Sequence, residues 1–170
     1  MRTITETFEV YTFEELSKDA KQKAREWYEN GNDMPFLHMD MQEKALELLE
    51  DNGIDVDETS LEVMYSLSYS QGDGAMMAFQ GTWKGFNISA THHGHYSHYN
   101  SKILVIEKDD EEVDTKIYKE FNEVYVTLCK QLEKYGYDQI EYSHSEEAIK
   151  EYFKMNEIEF LANGQVYDSK

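Results

Sequence analysis

Four of the chain's six histidines fall within seven positions, in Thr91-His92-His93-Gly94-His95-Tyr96-Ser97-His98-Tyr99. Imidazole is a common ligand for zinc, nickel and copper, so a metal site on His92, His93, His95 and His98 is one reading. Side-chain direction works against it. On a strand His92 and His93 point to opposite faces, and only His93 with His95, or His95 with a rearranged His98, converge around Gly94. No Cys-x-x-Cys or His-x-x-x-His pattern accompanies them, and no metal is assigned. Two further readings stay open. The segment is a hairpin end whose histidines are solvated or packed on tyrosines, or it is a recognition loop. In the second case His95, Tyr96, His98 and Tyr99 offer a partner flat apolar faces with hydrogen-bonding tips.

The other chemical signals are weaker. Ser70-Gln71-Gly72-Asp73-Gly74 lacks the lysine and following helix of a phosphate-binding loop. Its glycines instead suit a tight β-turn, with Asp73 bonding neighbouring amides. Asp73 would make an acid/base pair with His93 or His95 only if their turns met, and turns at opposite ends of a hairpin are expected to stay apart. Cys129, the single cysteine, follows a core leucine in a helical pattern and reads as structural. No Gly-x-Ser-x-Gly elbow is present, and carboxylates are too plentiful for any pair to be diagnostic. The expectation is a protein that is not an enzyme, with no catalytic residues and no cofactor.

The distribution of acid is more informative. The 170 residues carry 35 Asp+Glu against 16 Lys+Arg, a formal charge of −19. That balance argues against direct binding to nucleic acid or anionic lipid, since each phosphate contact wants a cation. Asp40, Glu43, Glu47 and Glu50 recur at spacings of three and four, which places them in one ridge along a helix. Asp109, Asp110, Glu111 and Glu112 form a second concentration. Neighbouring charges on such a ridge stand roughly 5 to 6 Å apart, close to the spacing of successive phosphates on one strand. A surface that grips nucleic acid would feel a similar field. The alternative is a solvated acidic face that only maintains solubility. Lys18, Lys21, Lys23 and Arg25, interleaved with Asp19 and Glu26, form a small mixed patch that pairs internally or offers a second contact face.

The elements that must position these residues read as α+β. Ile4, Glu6, Phe8 and Val10 alternate in a short strand over residues 3–10. Thr12-Phe13-Glu14-Glu15 is a capping box, and a helix follows to about Glu29 with a break at Ser17. Asp33-Met34-Pro35 begins a second helix with a stripe of Leu37, Met41, Ala45, Leu48 and Leu49, ended by Asn52-Gly53. A four-stranded meander follows over residues 61–107, with turns at 71–74, at Lys84-Gly85 and after Gly94. Acids at 109–112 suit the start of a long helix, in which Val113, Ile117, Phe121, Val124, Leu128, Leu132 and Tyr135 repeat for over five turns. Tyr135-Gly136-Tyr137 ends it, residues 139–142 add a short strand, and Ser143-His144-Ser145-Glu146 caps a last helix. The expected architecture is an antiparallel sheet of about four or five strands packed with three or four helices. With no linker or repeat, residues 1–170 read as one compact domain, in which 157–170 form a short hairpin or loose tail. No apolar run is long enough to span a membrane, and the opening residues lack the apolar stretch of a signal peptide. With only one cysteine, a cytoplasmic location is expected.

Five stretches together resemble a family of small acidic bacteriophage-encoded accessory proteins, some labelled antitoxin-like. They are the residues 11–28 (YTFEELSKDAKQKAREWY), 68–75 (SYSQGDGA), 94–98 (GHYSH), 145–149 (SEEAI) and 156–160 (NEIEF), and they span most of the chain in the same order. The resemblance supplies no catalytic residues. It implies an accessory protein acting inside a bacterial host cell, where such proteins counter host defence. The expected function is inhibition of a basic nucleic-acid-binding defence protein, of anti-CRISPR or anti-restriction type, through acidic surfaces that compete with nucleic acid. Neutralisation of a toxin and a metal-dependent role for the histidine cluster are the alternatives. A homodimer would duplicate either surface.

Overall fold

The computed structural model describes residues 1–94 and 96–168. Among them run the helices and strands α1 (Lys18–Gly31), α2 (Leu37–Asp51), β1 (Ile54–Val56), β2 (Glu62–Ser66), β3 (Gly74–Trp83), β4 (Phe86–His92), β5 (Lys102–Lys108), β6 (Glu111–Glu112), α3 (Thr115–Ser143) and α4 (Glu146–Met155). The class is α+β, with four α-helices and a six-stranded antiparallel sheet among the described residues. No described helix is long and apolar enough to cross a membrane. The chain forms two compact units, residues 35–139 and residues 1–34 with 140–170.

In the larger unit the strand order is β1-β3-β4-β5-β6, with β2 beside the first half of β3. Alternation decides the faces. Val63, Met77, Phe79, Trp83, Ile88, Ala90, Leu104 and Ile106 are buried together with Met41, Ala45 and Leu49 of α2 and Phe121, Tyr125, Leu128 and Leu132 of α3. Gln80, Thr82, Asn87 and Thr91 face outward. β3 pairs with β4 only from Phe79 onward. At Met77, where no β4 partner remains, the Tyr125 hydroxyl donates to the carbonyl at 2.6 Å and accepts from the N–H at 3.2 Å. A phenol thus satisfies a strand edge that would otherwise be a buried, unpaired peptide. Met76 alternates with Met77 to the other face of β3 but is fully buried, and Ser101 Oγ lies 3.2 Å from its sulfur.

Several expected boundaries move. Residues 109–112 do not open a helix: Asp109 and Asp110 both have positive φ (53° and 62°) and form the two-residue turn of the β5–β6 hairpin, with Lys108 opposite Glu111. Such a turn matches the twist of the strands it joins. Asp114 instead begins α3, its carboxylate accepting the Ile117 N–H at 3.0 Å. Gly136 does not end α3, which continues to Ser143 through the residues expected to add a strand. A Cβ at Gly136 would overlap Leu67 Cδ1 and lie 3.0 Å from Met41 Sδ, so this glycine is a packing residue and not a stop. β1 and β6, three and two residues long, were too short to show as patterns.

The smaller unit has its own core of Phe13, Leu16, Ala20, Ala24, Tyr28, Ile149, Phe153 and Phe160. The break at Ser17 is real: a 3-10 turn Phe13–Glu15 precedes it, and Ser17 caps α1 by accepting from Ala20 N–H at 3.3 Å. Glu15 accepts the Thr12 N–H at 2.8 Å. Ser145 caps α4 in the same way as Ser17 caps α1. Arg25 pairs with Glu146 at 2.9 Å, so part of the basic patch on α1 is used within this unit. Residues 157–168 are held by Phe160, which bridges Tyr11 and Val166. Residues 3–10 form no strand, because beyond Tyr11 no neighbouring segment bonds to them as a ladder, and they lie exposed.

Candidate functional site

In a meander, first and third turns lie at the same end of the sheet. The segment 67–73 that leads into β3 and the loop 93–101 between β4 and β5 therefore meet, contrary to the expectation that they stay apart. Together they line a cavity of about 620 Å³ with Gly72, Asp73, His93, Tyr96, His98, Asn100, Ser101 and Lys102 on its wall. The close approach depends on Gly74, where a Cβ would come within 2.8 Å of His98 Cδ2.

Asp73 is not a free acid. Its carboxylate accepts hydrogen bonds from Ser66 Oγ (3.0 Å), Ser68 N–H (2.8 Å) and Oγ (2.8 Å), Ser70 N–H (3.1 Å) and Oγ (3.3 Å), and the Tyr137 hydroxyl of α3. The Tyr137 bond, followed by those from the serines, holds the Asp73 pKa well below the usual carboxylate range against the opposing effect of burial. The same bond pushes the Tyr137 phenol up to about 12. A carboxylate so held is a poor proton acceptor, and its hydrogen bonds shape the turn. Tyr69, at the tip, is forced to φ 56°, a conformation bulky side chains rarely adopt. Its ring stands 4.7 Å from that of Tyr137 and is 66% exposed.

Two of the histidines bond locally. His92 Nδ1 lies 2.9 Å from the Gly94 carbonyl, and His98 Nδ1 accepts the Asn100 N–H at 3.0 Å, which starts the 3-10 turn Tyr99–Ser101. The His98 ring packs on Tyr99 at 4.0 Å. Tyr99 is half-buried, with Lys102 and Lys130 each within 6 Å of its ring centre, whereas Tyr96 is 72% exposed. His95 lies outside the described residues. Among the described residues no three His, Cys, Asp or Glu side chains stand where they could hold one metal ion. Cys129 is fully buried, and desolvation pushes its thiol up to about 12, which leaves it unreactive.

The acidic groups lie elsewhere. On α2, Met41, Ala45 and Leu49 fix the helix to the core and turn Glu43, Glu47 and Glu50 outward, with Asp40 half-buried. Lys44 interrupts the ridge: its ammonium contacts Glu47 at 3.1 Å and lies 5.6 Å from the Tyr135 ring centre. Burial, and then the charges of Asp40, Glu43 and Glu47 against the opposing Lys44, raise the Tyr135 pKa. Asp109, Asp110, Glu111 and Glu112 are all exposed, but on the hairpin at the opposite edge of the sheet from β1, which α2 adjoins. Four strand spacings, roughly 19 Å, separate those edges. The two acidic groups are separate patches, and the tyrosine-histidine end of the sheet is a third feature. Comparison with protein-family models, curated proteins and solved structures returns no match.

Proposed function

We propose that this chain is an inhibitory binding protein whose acidic patches occupy the basic nucleic-acid channel of a partner. The observation that carries the reading is the α2 ridge. Glu43, Glu47 and Glu50 project from a helix whose opposite face is locked into the core, and one lysine accompanies them. Charges about one helical turn apart on a rigid support need little reordering on binding, which favours competition with a phosphate backbone. The hairpin acids Asp109, Asp110, Glu111 and Glu112 supply a second contact on the far edge, and Tyr96, with His98 and Tyr99 behind it, adds non-ionic area. The bacteriophage resemblance makes the partner a host defence protein of the CRISPR-effector or restriction-enzyme kind. No catalytic step is assigned.

The test is affinity capture from a bacterial host lysate carrying defence systems, washed at low and then high salt. The expected result is a basic nucleic-acid-binding protein that high salt removes and its own nucleic acid displaces. Capture of a small toxin that nucleic acid does not displace would contradict the reading and support the antitoxin alternative.

A further inference from the structure

The Asp73 turn is built more tightly than a connecting loop requires. Six donors converge on one carboxylate, and their effect is to hold Tyr69 at φ 56° with its ring outward. Backbone held in a sparsely populated region persists only where its surroundings over-determine it, and such positions cluster at binding and switching sites. An exposed tyrosine already packed on a neighbouring ring, as Tyr69 is on Tyr137, has less side-chain entropy to lose on contact, and this residue type anchors interfaces.

The charges around it select what the ring faces. Asp73 lies behind the turn, and Glu133 on α3 is close enough for its charge to act on Tyr137. Lys134 is engaged by Asp138 at 2.6 Å. Lys102 shares the cavity wall with Asp73 and disfavours a cation there. A cationic group of a partner is therefore directed to the Tyr69–Tyr137 side and away from the cavity. Guanidinium stacks on an aromatic face, is more weakly hydrated than ammonium and keeps its donors free for carboxylates, so arginine fits this environment better than lysine.

Resting on the reading that the partner is basic, we infer that Tyr69, presented by the Asp73 turn against Tyr137, is an arginine-docking anchor that gives the acidic protein a preference for arginine over lysine in its partner.

The test measures binding of the full chain to nona-arginine and to nona-lysine at fixed low salt. Wild type should bind nona-arginine about two- to five-fold more tightly, the size of an exposed cation–π contact. Tyr69→Asn removes the ring while keeping a residue that tolerates positive φ, and should bring the two peptides to equal affinity. Tyr69→Phe should keep the preference. Replacing Glu43, Glu47 and Glu50 with glutamine should weaken both peptides alike. Equal, salt-sensitive binding of both peptides by wild type would overturn the anchor and leave the acidic-surface reading standing. A preference that survives Tyr69→Asn would likewise overturn the anchor alone. Failure of either peptide to bind would overturn both.

Discussion

Asp73 and the glutamates of α2 are the same chemical group in opposite circumstances. Asp73 accepts six hydrogen bonds and spends its charge on one turn, whereas Glu43 and Glu50 project into solvent from a helix already secured by Met41, Ala45 and Leu49. The difference lies in local donors. Ser66, Ser68 and Ser70 alternate so that hydroxyls and amides reach one carboxylate, while on α2 Lys44 pairs with Glu47. A carboxylate surrounded by donors organises structure, and one without them stays solvated, as the proposed ridge contact requires.

Substitutions separate these roles, beginning with the largest expected effect. Asp73→Asn should lower the thermal midpoint more than any single Glu→Gln change at Glu43, Glu47 or Glu50, since the turn loses a charged acceptor for several donors. It should also change the acid limb of stability. The folded pKa of Asp73 is depressed, so its contribution is present above the ordinary carboxylate range and is lost as pH falls through the depressed value. Stability of Asp73→Asn should consequently vary less than wild type on acidification below about pH 4, read by denaturant titration. Gly136→Ala tests the packing beneath the turn, because the added methyl meets Leu67 and Met41. A loss of about 1–3 kcal/mol is expected in the same assay.

Tyr137→Phe should raise the Asp73 pKa, measured by carboxyl-carbon NMR titration, and should destabilise less than Asp73→Asn because the serine donors remain. At the alkaline end the sign reverses. Tyr137 is raised to about 12, so its contribution is complete below the ordinary tyrosine value and is lost as pH rises through the folded value. On the ridge, Glu43→Gln or Glu50→Gln should each change stability by no more than about 0.5 kcal/mol. A large loss at either position would erase the distinction between the structural acid and the surface acids.

Much of this contrast could be read from the residues. The α2 stripe and its acidic ridge follow from spacings of three and four, and the meander follows from alternation in Leu61, Val63, Tyr65 and Leu67. Asp73 as a turn residue was legible too, from its glycines and serines. Its tie to Tyr137 was not, because the partners are 64 residues apart and meet only through packing of α3. Gly136 resembled a helix stop, since local sequence does not reveal that Leu67 and Met41 press on its missing side chain. Asp109-Asp110 suited a helix start by charge, but the β5–β6 hairpin made positive φ the stronger demand. The meeting of the segment 67–73 with the β4–β5 connection is a consequence of strand count in a meander, and the Tyr69 anchor depends on the Asp73 turn and on α3.

The central claim concerns the ridge, and it is tested most directly by equilibrium binding of the captured partner to wild type and to the Glu43→Gln/Glu47→Gln/Glu50→Gln variant across a salt series, with the partner's nucleic acid as competitor. The account predicts wild-type affinity that falls steeply with salt, a weaker and flatter dependence for the variant, and mutual exclusion with nucleic acid. Equal affinities for the two proteins at every salt concentration, or a ternary complex with nucleic acid, would contradict it.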